Sequence, residues 1–285
     1  MVYGLIFLVV ITSVAQNVCR KNFGKYCKSG LLFGGISSLV ASLFYLFVTD
    51  FGTFSFEYIP LSLMLTVSFL IALIFMFNAI SCGSFAITSL IFSYSVVIPF
   101  IYGVIFLNEK MTLWKLLGFS AFLISVFLIS GIKIGKKGDF GNFKMKWIVF
   151  VVIGFVCNGL CAVFQKIQQN KFSGKYDNIG MLTAFVLSGI ILIVLGFFID
   201  NGEFEKAFTK GMPSAAICGI SVGLTNMLAL IAVSKMATSL FFSITSVGMM
   251  LMNVCLSLIV YKEKFTPMQI IGIVIGTLAL VALNI

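Results

Sequence analysis

The hydrophobic positions of this chain form long runs that are separated by short groups of charged and turn-forming residues. A helix needs about 20 mainly apolar residues to cross a hydrocarbon layer ~30 Å thick. Lipid offers backbone amides no partner, so each run predicts a helix. The pattern predicts ten spans, over residues 2–18, 29–48, 60–80, 83–107, 112–131, 147–166, 178–199, 213–233, 237–260 and 266–284.

The composition supports the same class. Of 285 residues, 60% are hydrophobic and 10% are charged, whereas soluble domains are roughly a quarter charged. We therefore predict an all-α, multi-pass integral protein of the cell membrane. The net charge of +10 comes from residues in the gaps between runs. That placement is typical of loops facing the cytoplasm and its anionic lipid, and nucleic acid is not expected as a partner.

The reactive side chains indicate neither a metal site nor a cofactor. The sequence contains seven Cys, no C-x-x-C motif and no His. Cys157 and Cys161 lie one helical turn apart in an apolar run without a carboxylate, so we interpret them as packing residues. A membrane enzyme acting on lipid would need His, a metal cluster or paired carboxylates. The sequence therefore predicts no enzyme.

A short phrase occurs twice, as NEKMTLWKLLG at residues 108–118 and as KEKFTPMQIIG at residues 262–272. Shifting the chain by 263 − 109 = 154 residues superimposes the two phrases and pairs Glu109 with Glu263, Thr112 with Thr266, and Gly118 with Gly272. Identities clustered at one joint of each half indicate an internal duplication.

The longest polar interruption, residues 133–146, divides the chain. We predict a first five-span repeat at 1–132, a basic central loop at 133–146 and a second five-span repeat at 147–285. Five is an odd number, so the second copy enters the membrane in the opposite direction. Two inverted repeats around a central cavity are the architecture of many transporters.

Glu109 and Glu263 each fall between two predicted spans, three residues before Thr112 and Thr266. The Thr can cap the following helix, and an acidic group near a helix start suits its dipole. We therefore predict a structural role for the phrase, including Gly118 and Gly272. A direct role of the carboxylates in coupling is the alternative.

The two phrases and the five spans in each half resemble the drug/metabolite transporter superfamily, in particular its EamA-like family. Repeats of that family close with a Gly-Glu-like pair, a polar turn and a helix that carries Gly. In this chain Asn108 and Lys262 replace the Gly before Glu, and the second helical Gly is present as Gly276 but becomes Phe122 in the first half. The resemblance implies a small-solute transporter whose cavity is lined by the first, third, fourth, sixth, eighth and ninth spans.

Polar neutral residues follow helical stripes on these spans, as with Ser246, Asn253 and Ser257 on the ninth. An Asn amide is costly to leave facing lipid, so it favours the protein interior. Small hydroxyl residues also suit close helix packing, and Tyr can anchor packing. The candidate substrate-binding residues are Asn78, Tyr94, Ser95, Tyr102, Asn158, Asn226, Ser246 and Asn253.

No Asp, Glu, Lys or Arg falls in the middle third of a predicted span. This argues against a mid-membrane proton relay. An uncharged cavity predicts alternating-access transport of neutral, zwitterionic or weakly cationic organic solutes, such as amino acids or related metabolites. The alternatives are a broad-specificity drug or organic-cation exporter and a non-transporting scaffold. The loop charges place both termini outside the cytoplasm, and the resemblance implies the opposite. The sequence leaves open the substrate, the transport direction, the coupling ion and the oligomeric state.

Overall fold

A computed structural model describes residues 2–53, 55–106, 112–130, 145–233 and 238–283. All regular structure in these ranges is helical. The α-helices are α1 (Val2–Tyr26), α2 (Gly30–Val48), α3 (Ile59–Cys82), α4 (Phe85–Ser93), α5 (Val97–Phe106), α6 (Leu113–Ser130), α7 (Met145–Phe172), α8 (Asp177–Ile199), α9 (Asn201–Lys206), α10 (Met212–Val233), α11 (Thr238–Ile259) and α12 (Pro267–Leu283). Short 3₁₀ turns occupy Phe51–Thr53, Phe56–Tyr58 and Tyr94–Val96, and a π turn occupies Ala207–Gly211.

Within the described residues, seven helical segments are long and apolar enough to cross a membrane. Three shorter apolar helices lie at Leu116–Ser125, Ile244–Ile259 and Pro267–Ala279. Together these segments fall at the positions of the predicted runs, and the all-helical membrane class is confirmed. The count of ten crossings stays a prediction.

The fourth predicted span is divided into α4 and α5 by the 3₁₀ turn Tyr94–Val96. Pro99 explains the interruption. Proline has no N–H to donate to the carbonyl four residues earlier, and its ring clashes with that carbonyl, which here belongs to Ser95. The chain therefore tightens its helix just before Pro99 and then resumes.

The described helix ends lie on two faces of the bundle. On the first, called here the Glu263 face, residues 26–30, 82–85, 200–211 and 260–266 come together. For example, Ser29 Oγ donates to Asp200 Oδ2 at 2.5 Å. On the opposite face, called here the Tyr58 face and formed by residues 48–59 and 172–178, the rings of Tyr58 and Tyr176 stack at 5.3 Å. The described loops after the first, third, seventh and ninth predicted spans therefore lie on one face and those after the second and sixth on the other, as alternating crossings require.

Glycines bring α2 and α8 into close antiparallel contact. A Cβ at Gly35 would lie 2.6 Å from Ile193 Cγ1, and one at Gly189 would lie 2.6 Å from Leu39 Cδ2. As numbers rise along α2, their partners fall along α8, so the helices run in opposite directions. Small residues let helix backbones approach closely in lipid, where dispersion rather than the hydrophobic effect drives association. The second helix of each predicted half thus packs against its counterpart in inverted orientation.

The remaining packing has the same symmetry. The most extensive contacts join α6 to α12, α3 to α7, α1 to α10 and α2 to α8. Exchanging the halves converts the α3–α7 pair (third and sixth spans) into the α1–α10 pair (first and eighth spans). The other two pairs each join equivalent helices. This is the pattern expected for two related bundles that face each other.

A buried hydrogen-bond chain connects the α6–α12 pair to the 3₁₀ turn Tyr94–Val96 that follows α4. The Tyr94 hydroxyl lies 2.7 Å from Ser125 Oγ, which donates to the Gly272 carbonyl at 2.7 Å. A Cβ at Gly276 would collide with the Tyr94 hydroxyl, so glycine makes room for it. Phe122 packs edge-on against the Tyr94 ring at 5.0 Å. The position where the first half departs from the family pattern therefore fills space beside this junction.

Candidate functional site

A hydrogen-bonded group of polar side chains lies between α1 and α10. Gln16 Nε2 donates to Thr225 Oγ1 at 3.0 Å, and Thr225 Oγ1 donates to Thr12 Oγ1 at 2.8 Å. These residues belong to the first and eighth spans, which the resemblance assigns to the cavity. They provide neutral donors and acceptors within the membrane segment.

Arg20 lies one turn beyond this group and is 5% exposed. Its Nη1 donates to Asn17 Oδ1 at 2.8 Å, and its Nε has no hydrogen-bond partner among the residues that the structure describes. Because the first predicted span ends at residue 18, the sequence pattern predicts a loop position for Arg20. That placement is wrong, because α1 continues to Tyr26 and carries the guanidinium inside the bundle.

Arg20 borders a small void with room for roughly one water molecule. Helices of both halves enclose it: α2 and α3 from the first, α8 and α10 from the second. The lining residues are Arg20, Ser37, Ser38, Phe69, Leu73, Phe185, Cys218 and Val222. Ser37 is seven residues into α2, so the void lies about 10 Å from that end of the helix at ~1.5 Å per residue.

Of the predicted binding residues, only Asn158 and Ser95 hydrogen-bond to each other in the described structure. Asn158 Nδ2 lies 2.6 Å from Ser95 Oγ, which joins α7 to the 3₁₀ turn before Pro99. Asn226 Nδ2 donates to the Val222 carbonyl of its own helix at 2.8 Å. The stripe on α11 is buried, and Asn253 Oδ1 has no partner among the described residues.

The aromatic candidates are placed differently. Tyr94 is fully buried, and its hydroxyl bonds Ser125 in the packing junction described above. Tyr102 is half-buried and stacks on Phe106 at 5.1 Å. Ser246 is buried on α11, and Asn78 is half-buried near the end of α3. The binding roles of all eight residues remain a prediction.

The structure describes the second copy of the repeated phrase in full, whereas Glu109 of the first copy lies outside the described residues. Thr266 and Gln269 form a capping box for α12: the Thr266 amide donates to Gln269 Oε1 at 2.9 Å, and the Gln269 amide donates to Thr266 Oγ1 at 3.3 Å. Gly272 is buried in α12 and Gly118 is buried in α6, while Thr112 is exposed just before α6.

The Glu263 side chain binds the N-terminal end of α4, although Glu263 itself precedes α12 in the chain. Its Oε1 accepts from the Phe85 amide at 2.8 Å, and its Oε2 accepts from Ser84 Oγ at 2.7 Å and from Ser257 Oγ. Lys21 Nζ lies 3.1 Å from Oε1 and 3.8 Å from the Tyr261 ring centroid. The left-handed conformation of Lys262 (φ 51°) turns the chain back so that the carboxylate meets these groups.

These contacts shift the acidity of Glu263. Burial acts to raise its pKa, but hydrogen bonds from Ser257, Ser84 and the Phe85 amide, together with the charge of Lys21, outweigh burial. The pKa therefore lies below its ordinary value, and the carboxylate is ionised at neutral pH. It joins the ends of α1, α4 and α11, which belong to the first, fourth and ninth spans.

Sequence reasoning missed the burial of Arg20 and the destination of Glu263. A signal for Arg20 was present. No proline interrupts residues 19–26, and Asn17 lies three residues before Arg20, the spacing of neighbours on one helix face. The Glu263 contacts join residues about 180 and 240 positions apart, and no local pattern indicates them.

This all-helical chain, with apolar helices and buried polar groups between them, is a multi-pass membrane protein. Residues 145–285 match the model of the EamA-like transporter family, so the second half of the chain belongs to that family. The resemblance seen in the sequence is thereby confirmed.

A solved structure titled "Crystal structure of protein" shares the fold over nearly the full length of both chains. The TM-score is 0.54 at 12% identity, covering 98% of this chain and 97% of the other. At this identity the likeness shows the fold alone. The comparison with curated proteins returns no match.

Proposed function

We propose that the protein is a secondary transporter that moves small organic solutes by alternating access between two inverted five-helix repeats, 1–132 and 147–285. The antiparallel contact of α2 with α8, at Gly35 and Gly189, carries this proposal. Inverted repeats can exchange conformations across the membrane plane, so that a site between them opens to either side in turn. The family match of the second half supports it.

The Glu263 network corresponds to the closed side of such a cycle. It holds three helices that the resemblance assigns to the cavity, because Lys21, Ser84 and Ser257 all bind one carboxylate. Opening the Glu263 face requires these contacts to separate. The carboxylate thus acts as a latch at the membrane edge. It stabilises the closed conformation, which is a structural role, and it must release for transport, which is a role in coupling.

The interior favours some solutes over others. Neutral donors and acceptors occur at Thr12, Gln16 and Thr225, and a positive charge occurs at Arg20. A buried guanidinium repels cations, which disfavours the organic-cation exporter. Zwitterionic or anionic metabolites such as amino acids fit this charge better.

We expect purified protein in liposomes to catalyse saturable exchange of labelled solute, because alternating access returns a loaded carrier quickly. The measurement is counterflow with a panel of amino acids, organic acids, amines and nucleosides, each tested against protein-free liposomes. A cysteine cross-link between residues 21 and 263 should abolish exchange and reduction should restore it, because the latch could no longer open. Exchange that continues unchanged through the cross-link would contradict the proposal.

A further inference from the structure

We infer that Arg20 is the binding residue for a carboxylate group of the transported solute, with Asn17 and Ser38 beside it. The inference rests on the proposed function, because it names the substrate class of that transporter. It arises from the buried positive charge of Arg20, which has no ion-pair partner among the described residues.

Arg20 is the only charged side chain among the buried residues that the structure describes. Its single hydrogen bond within that part of the chain goes to a neutral amide, Asn17 Oδ1. A buried charge is costly unless it is paired, and an ionisable residue inside a membrane helix is by default a functional-site hypothesis. A helix bundle gains nothing from such a residue unless something else supplies the negative charge.

Two polar atoms at the same void have no hydrogen-bond partner among the described residues. Arg20 Nε and Ser38 Oγ are both buried without a hydrogen bond in the described structure, and both residues line the void between the halves. Buried donors without acceptors cost free energy, so the arrangement is poised for an acceptor. A guanidinium presents parallel N–H groups that match the two oxygens of a carboxylate.

The other walls of the void describe the rest of the solute. Apolar surface is contributed to the same void by Phe69 and Leu73 of α3, Phe185 of α8 and Val222 of α10. A monocarboxylate or amino acid with an apolar body would place its charged end on Arg20 and its body on this surface. The void holds roughly one water molecule in this conformation, so entry of the solute requires the two halves to separate.

The test compares matched probes that differ only in the replacement of a carboxylate by a carboxamide: leucine with leucinamide, phenylalanine with phenylalaninamide, and 4-methylpentanoate with 4-methylpentanamide. Thermal unfolding of the purified full-length protein reports binding, because a ligand of the folded state raises its stability. We expect at least one carboxylate, and none of the amides, to raise the melting temperature of the unmodified protein.

Arg20→Gln should weaken carboxylate binding by at least about tenfold, and Arg20→Lys should retain part of it. The matched control is Lys25→Gln, which removes one charge from an exposed residue of the same helix. Should Arg20→Gln fail to fold, Arg20→Lys and the probe pairs still decide. Three results would overturn the inference. The carboxylate and the amide of a pair bind equally, no carboxylate binds, or Arg20→Gln binds the carboxylate as tightly as the unmodified protein does.

Counterflow separates this inference from the proposed function. Exchange that occurs but ignores the carboxylate leaves the transporter proposal standing and removes the role of Arg20. Carboxylates that bind through Arg20 without any exchange leave the site standing and remove the transporter proposal.

Discussion

Glu263→Ala is expected to lower the melting temperature of the purified protein by about 6–12 °C, corresponding to a loss of about 3 kcal/mol. The carboxylate accepts hydrogen bonds from Ser84, Ser257 and the Phe85 amide and pairs with Lys21. Its removal leaves these donors without their acceptor in a site where the Lys21 and Glu263 side chains are 23% and 18% exposed. Such groups are stabilised far less by water than surface groups are.

Thermal unfolding in detergent measures this effect, and the matched control is Glu205→Ala. Glu205 is an exposed carboxylate of α9, so its removal should change the melting temperature little. Glu263→Gln keeps the shape and part of the hydrogen bonding but loses the charge, and should fall between the two. Equal melting temperatures for the Glu263→Ala and Glu205→Ala variants would show that the network does not stabilise this conformation.

The same residue predicts a pH dependence. The pKa of Glu263 is lower in the folded protein than the ordinary value of 4.5, so the unfolded chain binds its proton at higher pH. The stabilisation is therefore fully present above pH 4.5 and is lost as the pH falls through the folded-state pKa. The difference in melting temperature between the unmodified protein and Glu263→Gln should be constant from neutral pH to about pH 5.5 and shrink below 4.5. A difference that widens on acidification would contradict the assignment.

Gly219→Ala is expected to destabilise the protein by about 1–3 kcal/mol. A Cβ at this position would lie 2.5 Å from the Ser37 carbonyl oxygen and 2.6 Å from Val40 Cβ. A backbone carbonyl in the middle of a helix cannot swing aside as a side-chain end can. The methyl group therefore forces α10 and α2 apart along their contact.

Gly202→Ala is the matched control, because a Cβ there meets nothing within 4 Å. In a helix this change is expected to be neutral or to stabilise by about 0.4–1 kcal/mol, since alanine restricts the unfolded chain. Chemical unfolding in mixed micelles gives both values. A Gly219→Ala variant as stable as Gly202→Ala would show that the two helices are not in this close contact.

The main features of the fold could be predicted from the sequence because lipid simplifies the problem. Apolar length alone identifies helices there, and the predicted runs fall on the observed apolar segments. The capping box of Thr266 and Gln269 is equally local, since three residues separate its partners. Features of this kind depend on neighbours in the chain, and the sequence carries them directly.

The site was less predictable for a physical reason. Glu263 lies next to α12 in the chain, yet it binds the start of α4, because a left-handed Lys262 and the meeting of α4 with α11 bring them together. The charge of Arg20 likewise predicted a position in a solvated loop. Its burial depends on the helices that surround it, which a local sequence pattern does not indicate. The departure at Phe122 was visible, but its role beside Tyr94 depends on the glycine opposite, Gly276.

The buried Arg20 also has an electrical consequence. One elementary charge carried across a membrane exchanges about 2.3 kcal/mol with a potential of 100 mV. In the proposed alternating-access cycle, reorientation of the empty protein would expose the positive charge of Arg20 to one side and then to the other, so Arg20 would sense part of that field. A zwitterionic amino acid would leave this net charge unchanged, but a bound monocarboxylate would cancel it, so the protein loaded with a monocarboxylate would reorient almost independently of voltage. The membrane potential would then act mainly on the return of the empty carrier.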